Sequence, residues 1–281
     1  MDMRFAPVAA AITCGTVAIA MGLLHARYTL VAEHLAQQRL GSKRMSVVLF
    51  GDSLTERAFA EGGWGGCTAH WLQRRADVFN RGFGGYNTRQ ARAMLPALFP
   101  LGPHEHLLVT VWFGANDAAD ASMAVHVPLE EYANNLRDVL VELRRVAKHV
   151  VVLTPPPLHA PTRLAYQKRK YGAKATGVLE RTTEVTGQYA RAAQRVAADL
   201  ELPTLDVHRG MLAEGEDVWP AYVGAHDAAD GDGLHLSAEG QRWIGKKLLD
   251  LLAHELRLPR DLDAKTPNVW PPADSYGVSP S

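Results

Sequence analysis

Four short stretches of this 281-residue chain hold side chains that could do chemistry together. In VVLFGDSLTERAF (Val47–Phe59) an apolar run stops at Gly51-Asp52-Ser53 and a helical pattern begins, which sets Ser53 on a tight corner. A serine there has two readings. It is a helix N-cap, accepting a backbone N–H, or a nucleophile held at the carboxyl edge of a sheet, where open α/β folds bind ligands. NRGFGGYNT (Asn80–Thr88) carries glycines that permit positive φ and let backbone N–H groups approach a ligand. FGAND (Phe113–Asp117) brings an amide side chain, Asn116, and DGDGLHLS (Asp230–Ser237) an imidazole, His235, with Asp232 and Asp230 close by. A hydroxyl, an imidazole beside a carboxylate, and several amide donors are what acyl transfer needs: nucleophile, base, orienting acid and oxyanion donors. Taken singly, a Gly-rich run is usually a turn and an Asp-x-x-His pair usually surface decoration. Their order and placement carry the inference.

The elements that must position these stretches follow from the apolar pattern. From Met45 onward, short apolar runs alternate with amphipathic stretches, as in βα units around a parallel sheet. Strands are predicted at Ser46–Phe50, Asp77–Asn80, Leu107–Phe113, His149–Thr154 and Thr204–Val207. The runs LLVTVWF and HVVVLTP suit strands buried on both faces. Helices are predicted at Pro128–Ala147, Thr176–Leu200 and Ser237–Leu256. The first has Pro at its start and Leu129, Tyr132, Leu136, Val139, Leu140 and Leu143 at helical spacing; the last has Ser237 as its N-cap. TPPPLHAPTR after the fourth strand reads as an irregular loop, since proline cannot continue a central ladder. All four chemical stretches then fall at carboxyl ends of strands or, for the last, before the final helix, where parallel topology gathers loops at one edge. The nucleophile elbow of α/β-hydrolases is excluded, because Gly-x-Ser-x-Gly would need glycine where Thr55 stands.

These blocks resemble those of the GDSL, or SGNH, hydrolase family: Gly51-Asp52-Ser53-Leu54, Asn80 through Gly85 to Thr88, Gly114-x-Asn116-Asp117, and Asp232-x-x-His235. Four blocks in order over about residues 46–256 make the resemblance specific. It implies a three-layer α/β/α, flavodoxin-like fold with a central parallel sheet of about five strands, and ester hydrolysis without a metal or other cofactor. It also implies roles: Ser53 as nucleophile, His235 as base, Asp232 rather than Asp230 as its orienting partner, and an oxyanion hole of Ser53 N–H, Gly85 N–H and the Asn116 amide. Asp52 and Asp117 would be structural, tying loop N–H groups. More narrowly, LFGDSLTE, RGFGGYNTR, FGANDA and DGLHLS look like the isoamyl-acetate-hydrolysing esterase branch, which implies short-chain carboxylic esters as substrates. Trp64, Phe83, Tyr86 and Trp112 are candidates for an acyl pocket, although aromatics near strand ends are more often core. The same machinery serves thioesterases, lysophospholipases and sugar O-deacetylases, which remain alternatives. A non-catalytic flavodoxin-like binding module is the rival of another class, and it needs neither the Asp-x-x-His pair nor Asn116.

Composition bounds the rest. With 30 basic and 30 acidic residues the formal net charge is +0, which does not point to nucleic acid as a partner. Two cysteines, Cys14 and Cys67, are too few for a disulfide framework. His104-Glu105-His106 is read as a solvated loop, because no third ligand is evident and metal sites need three or four. The chain divides into an extension (1–44), a hydrolase domain (45–257) and a Pro-rich tail (258–281). Phe5–Leu24 is uncharged and of membrane-spanning length, but rich in Ala, Gly and Thr. An anchor, a cleaved targeting segment and a misassigned start at Met1, with Met45 the true one, all fit. The expected partners are a small ester molecule, a second copy of the chain, and a membrane only where that segment is an anchor. A cytoplasmic catalytic domain is the leading localisation, with an anchored or secretory route the alternative.

Overall fold

A computed structural model describes residues 45–73, 75–99, 106–224 and 231–258. Asp230, His104 and Glu105, the apolar segment Phe5–Leu24 and the tail past Leu258 lie outside the described residues. Five strands, β1 (Met45–Gly51), β2 (Ala76–Gly82), β3 (His106–Trp112), β4 (Ala147–Leu153) and β5 (Thr204–Leu205), form one sheet in the order β2-β1-β3-β4-β5. Every pairing is parallel. The β-branched, apolar interior strands are buried on both faces, whereas edge strand β2, buried only at Ala76, alternates between exposed and half-buried positions. Two apolar clusters cover the sheet, one built on Val47, Leu49 and Trp112, the other on Val48, Phe50 and Val111. The arrangement is the expected three-layer α/β/α fold.

The helices are α1 (Ser53–Glu56), α2 (Trp64–Trp71), α3 (Thr88–Leu98), α4 (Leu129–Val146), α5 (Ala160–Tyr171), α6 (Thr183–Asp199), α7 (Val207–Leu212), α8 (Trp219–Tyr222) and α9 (Ala238–His254). Helix α4 buries Tyr132, Leu136, Val139, Leu140 and Leu143, as its periodicity predicts. Helix α9 starts at its Ser237 cap, whose hydroxyl accepts the Gly240 N–H. Three readings need correction. The expected helix from Thr176 starts only at Thr183, because Thr182 caps it by accepting the Val185 N–H while Glu180 and Arg181 turn into an ion cluster. The TPPPLHAPTR loop is irregular only to His159: Pro161 lies in the first turn of α5, where its missing N–H costs nothing. His106 is the first residue of β3, not a loop residue, and its Nδ1 lies 2.6 Å from Ser46 Oγ. Among the described residues no helix is long and apolar enough to cross a membrane, and no cluster of three or more His, Cys, Asp or Glu could hold a metal ion.

Candidate active site

The corner between β1 and α1 answers the question of Ser53. The N-cap of α1 is Asp52, whose Oδ1 accepts the Leu54 N–H at 2.9 Å, so the serine hydroxyl is not needed as a cap. Ser53 is instead the first helical residue, and its Oγ lies 2.9 Å from His235 Nε2. The corner is fixed from two sides: Asp52 N–H donates to Trp112 O on β3 at 3.2 Å, and Phe83 N–H donates to Gly51 O at 2.9 Å. Gly82 permits the second approach, since a Cβ there would lie 1.9 Å from the Glu56 nitrogen.

The imidazole is held from its other end. His235 Nδ1 lies 2.6 Å from Asp232 Oδ2, while Asp232 Oδ1 accepts the Leu234 and His235 N–H groups at 2.9 and 2.8 Å. Burial works against the Asp232 carboxylate, but the His235 hydrogen bond and charge, with the two N–H groups, outweigh it. They hold it well below the usual carboxylate range. An ionised carboxylate can only accept, so in the neutral imidazole Nδ1 carries the proton and Nε2 is left as the acceptor facing the serine hydroxyl. The loop bearing both groups is pinned by Arg169 Nη2 donating to Gly231 O at 2.7 Å and by His159 N–H donating to Gly233 O at 2.9 Å. Helix α5, unforeseen from the sequence, supplies the arginine.

The glycine and asparagine stretches meet at the same edge. Asn116 Nδ2 donates to Tyr86 O at 2.8 Å, and Gly85 beside it has φ +81°, a conformation that favours glycine. Asp117 anchors the start of α3, accepting Thr88 N–H at 2.9 Å and Thr88 Oγ–H at 2.5 Å. Asn87 caps that helix with a reciprocal bond to Gln90. Phe83, half-buried against the core, and the exposed Tyr86 stack 5.4 Å apart in this loop. Trp64 does not join them: it is fully buried, donates its indole N–H to Leu54 O at 3.2 Å, and packs edge-on against Trp112 in the core. A buried indole needs a polar partner, and the Leu54 carbonyl provides it.

Sequence reasoning did not foresee Arg163, Glu180 and Arg181, which pack behind these loops. Arg181 Nη2 donates to Asn116 Oδ1 at 3.1 Å, and Arg163 Nη1 lies 3.7 Å from Asp232 Oδ2. No local pattern marks them, because arginine is ordinarily exposed unless paired.

A hydroxyl, an imidazole and a carboxylate in hydrogen-bonded series, beside a loop rich in amide donors, can activate an oxygen nucleophile against a carbonyl carbon. Comparison with known proteins gives the family. Residues 49–243 match the model of the GDSL-like lipase/acylhydrolase family. The chain is 41% identical over 203 residues to a GDSL esterase/lipase of Arabidopsis thaliana, covering 70% of this chain and 81% of that one. It is also 41% identical over 215 residues to the isoamyl acetate-hydrolyzing esterase 1 homolog of Mus musculus, covering 73% and 80%. Among solved structures, a lipase/acylhydrolase from Enterococcus faecalis superposes with a TM-score of 0.56 at 22% identity, over 77% of this chain and 98% of that one. An acetylxylan esterase from Geobacillus stearothermophilus gives 0.54 at 20% identity, over 73% and 93%. The match spans the sheet and the loops just described: the chain belongs to the GDSL-like lipase/acylhydrolase family and is a carboxylic ester hydrolase.

Proposed function

We propose that the protein is a serine esterase that hydrolyses short-chain carboxylic esters of the isoamyl acetate type through an acyl-enzyme at Ser53. The observation that carries this is the Ser53–His235–Asp232 series, with contacts of 2.9 and 2.6 Å and the capping task of the corner taken by Asp52. His235 Nε2 takes the Ser53 proton as Oγ attacks the ester carbonyl, and Asp232 steadies the imidazolium that forms. The carbonyl oxygen, now negative, is received by the Ser53 and Gly85 N–H groups and the Asn116 amide. These donors matter most at the tetrahedral stage, where the charge is greatest. His235 then returns the proton to the departing alkoxide, and a water activated by the same nitrogen releases the carboxylic acid. Phe83 and Tyr86, stacked 5.4 Å apart, are the aromatics assigned to contact with an acyl or alcohol group. The short-chain preference is supported by relatives about two-fifths identical that carry the isoamyl acetate-hydrolyzing name.

Steady-state kinetics on p-nitrophenyl esters of increasing chain length test this. Acetyl and butyryl esters should be turned over faster than octanoyl and longer ones, and Ser53→Ala should hydrolyse none of them. A maximum at long acyl chains would overturn the short-chain reading, and an active, folded Ser53→Ala protein would overturn the mechanism.

A further inference from the structure

The steps above make no use of the buried ion cluster behind the oxyanion side. Arg181, just before α6, is only 8% exposed. Its Nε donates to Ala115 O at 2.7 Å and its Nη2 to Asn116 Oδ1 at 3.1 Å, so one guanidinium holds two successive residues at the mouth of β3. Glu180 faces it, with Oε1 at 3.4 Å from Arg181 Nη1. The same Oε1 accepts Arg163 Nε at 2.6 Å, and Gln167 also donates to this carboxylate. Arg163 in turn lies by Asp232.

The chemistry of an amide gives this contact a consequence. Asparagine has one end that accepts and one that donates, and guanidinium can only donate. Arg181 therefore selects the Oδ1 end of Asn116 and turns Nδ2 to the opposite side, where one of its hydrogens meets Tyr86 O. Flipping the amide would set NH₂ against a buried cation and carbonyl oxygen against the Tyr86 carbonyl. We propose that Arg181 is a positioning residue for the reaction: it fixes which end of Asn116 faces the oxyanion. The two-armed geometry matters, since a lysine ammonium in its place would keep the charge but lose the planar fork that reaches Ala115 and Asn116 together. The proposal rests on Asn116 being an oxyanion donor.

The test compares Arg181→Lys, Arg181→Met and Asn116→Ala, alone and with each Arg181 change added to Asn116→Ala. Folding is followed by circular dichroism and kcat and KM are measured on p-nitrophenyl acetate. Removing one oxyanion donor lowers kcat by about 10²–10³-fold in other acyl-transfer enzymes, so Asn116→Ala sets the ceiling. Each Arg181 variant should lower kcat by about tenfold or more within that ceiling, with KM nearly unchanged, because the contact acts on the transition state. On the Asn116→Ala background the same changes should cost little further kcat, as coupled residues are non-additive. A purely structural arginine would lower the melting temperature while leaving kcat per folded molecule intact, or cost the same factor in both backgrounds; either result overturns the proposal. Should Arg181→Met fail to fold, Arg181→Lys decides, and failure of both to fold assigns Arg181 to folding and overturns the proposal too. A fully active Asn116→Ala protein would instead overturn the oxyanion reading beneath it.

Discussion

Asp232 and the pair Asp52 and Asp117 are buried carboxylates at the same edge of one sheet, yet their surroundings push them in opposite directions. Asp232 touches an imidazole and two N–H groups, and its proton is held weakly enough to keep it ionised. Asp52 and Asp117 sit deeper, each with an Oδ2 that has no hydrogen-bond partner among the described residues. Burial raises Asp52 to about 7 despite the Leu54 N–H, with the Asp117 charge adding to the rise and Arg181 opposing it. Burial likewise raises Asp117 to about 6 against the two Thr88 bonds and Arg89. Partners, not residue type, set them apart: the carboxylate with a donor on each oxygen is the one we propose serves the reaction, and the half-satisfied ones hold the loops.

Removing the charge at Asp232 should have the largest effect. Asp232→Asn keeps the shape but offers Nδ1 a donor as readily as an acceptor, favouring the wrong imidazole tautomer. In the proposed mechanism kcat should fall by about 10⁴-fold while circular dichroism stays native. A loss of only a few-fold would erase the distinction between Asp232 and the other two.

Asp117→Ala should act on stability instead. It frees Thr88 N–H and Oγ–H at the start of α3, and leaving buried polar groups unpaired costs about 1–3 kcal/mol. Urea titration should show that drop, with most activity per folded molecule retained. An Asp117→Ala protein as stable as the parent would show that Thr88 finds another partner.

The smallest effect sharpens the comparison through pH. Folded Asp52 and Asp117 keep protons that the unfolded chain releases above the ordinary value of 3.8. The folded state thus binds more protons from that value up to about 7, and stability should decline as pH rises through the window. Asp232 works the other way: its depressed value lends stability above 3.8 that is lost only in acid below it. Asp52→Asn, which keeps the capping oxygen, should flatten the decline between pH 4 and 7, roughly the span of its own shift. Parallel slopes for parent and variant would mean that Asp52 is ionised throughout.

What the sequence reveals differs along the same lines. Strands β3 and β4 were legible because a run buried on both faces is apolar at every position, and α4 because its stripe repeats at helical spacing. The GDSL, glycine, asparagine and histidine blocks were legible because each needs particular residue types at fixed spacing. The start of α6 was not: Thr176–Arg181 is compatible with helix, and only the inward turn of Glu180 and Arg181 to partners on α5 and at Asn116 decides it. Helix α5 could have been found from Pro161, since proline suits a first helical turn as well as a loop. Trp64 could not be placed, because lining a pocket and filling the core differ only by neighbours that the fold brings from β3.

The central claim is that Ser53 is the nucleophile, and trapping it is the most direct measurement. The protein should be treated with a fluorophosphonate and digested, and the modified peptide sequenced by mass spectrometry. One adduct per chain on Ser53 is expected, formed at a rate that falls sharply in Asp232→Asn and with no labelling of Ser53→Ala. Labelling of another residue, or equal labelling of Ser53→Ala, would contradict the account.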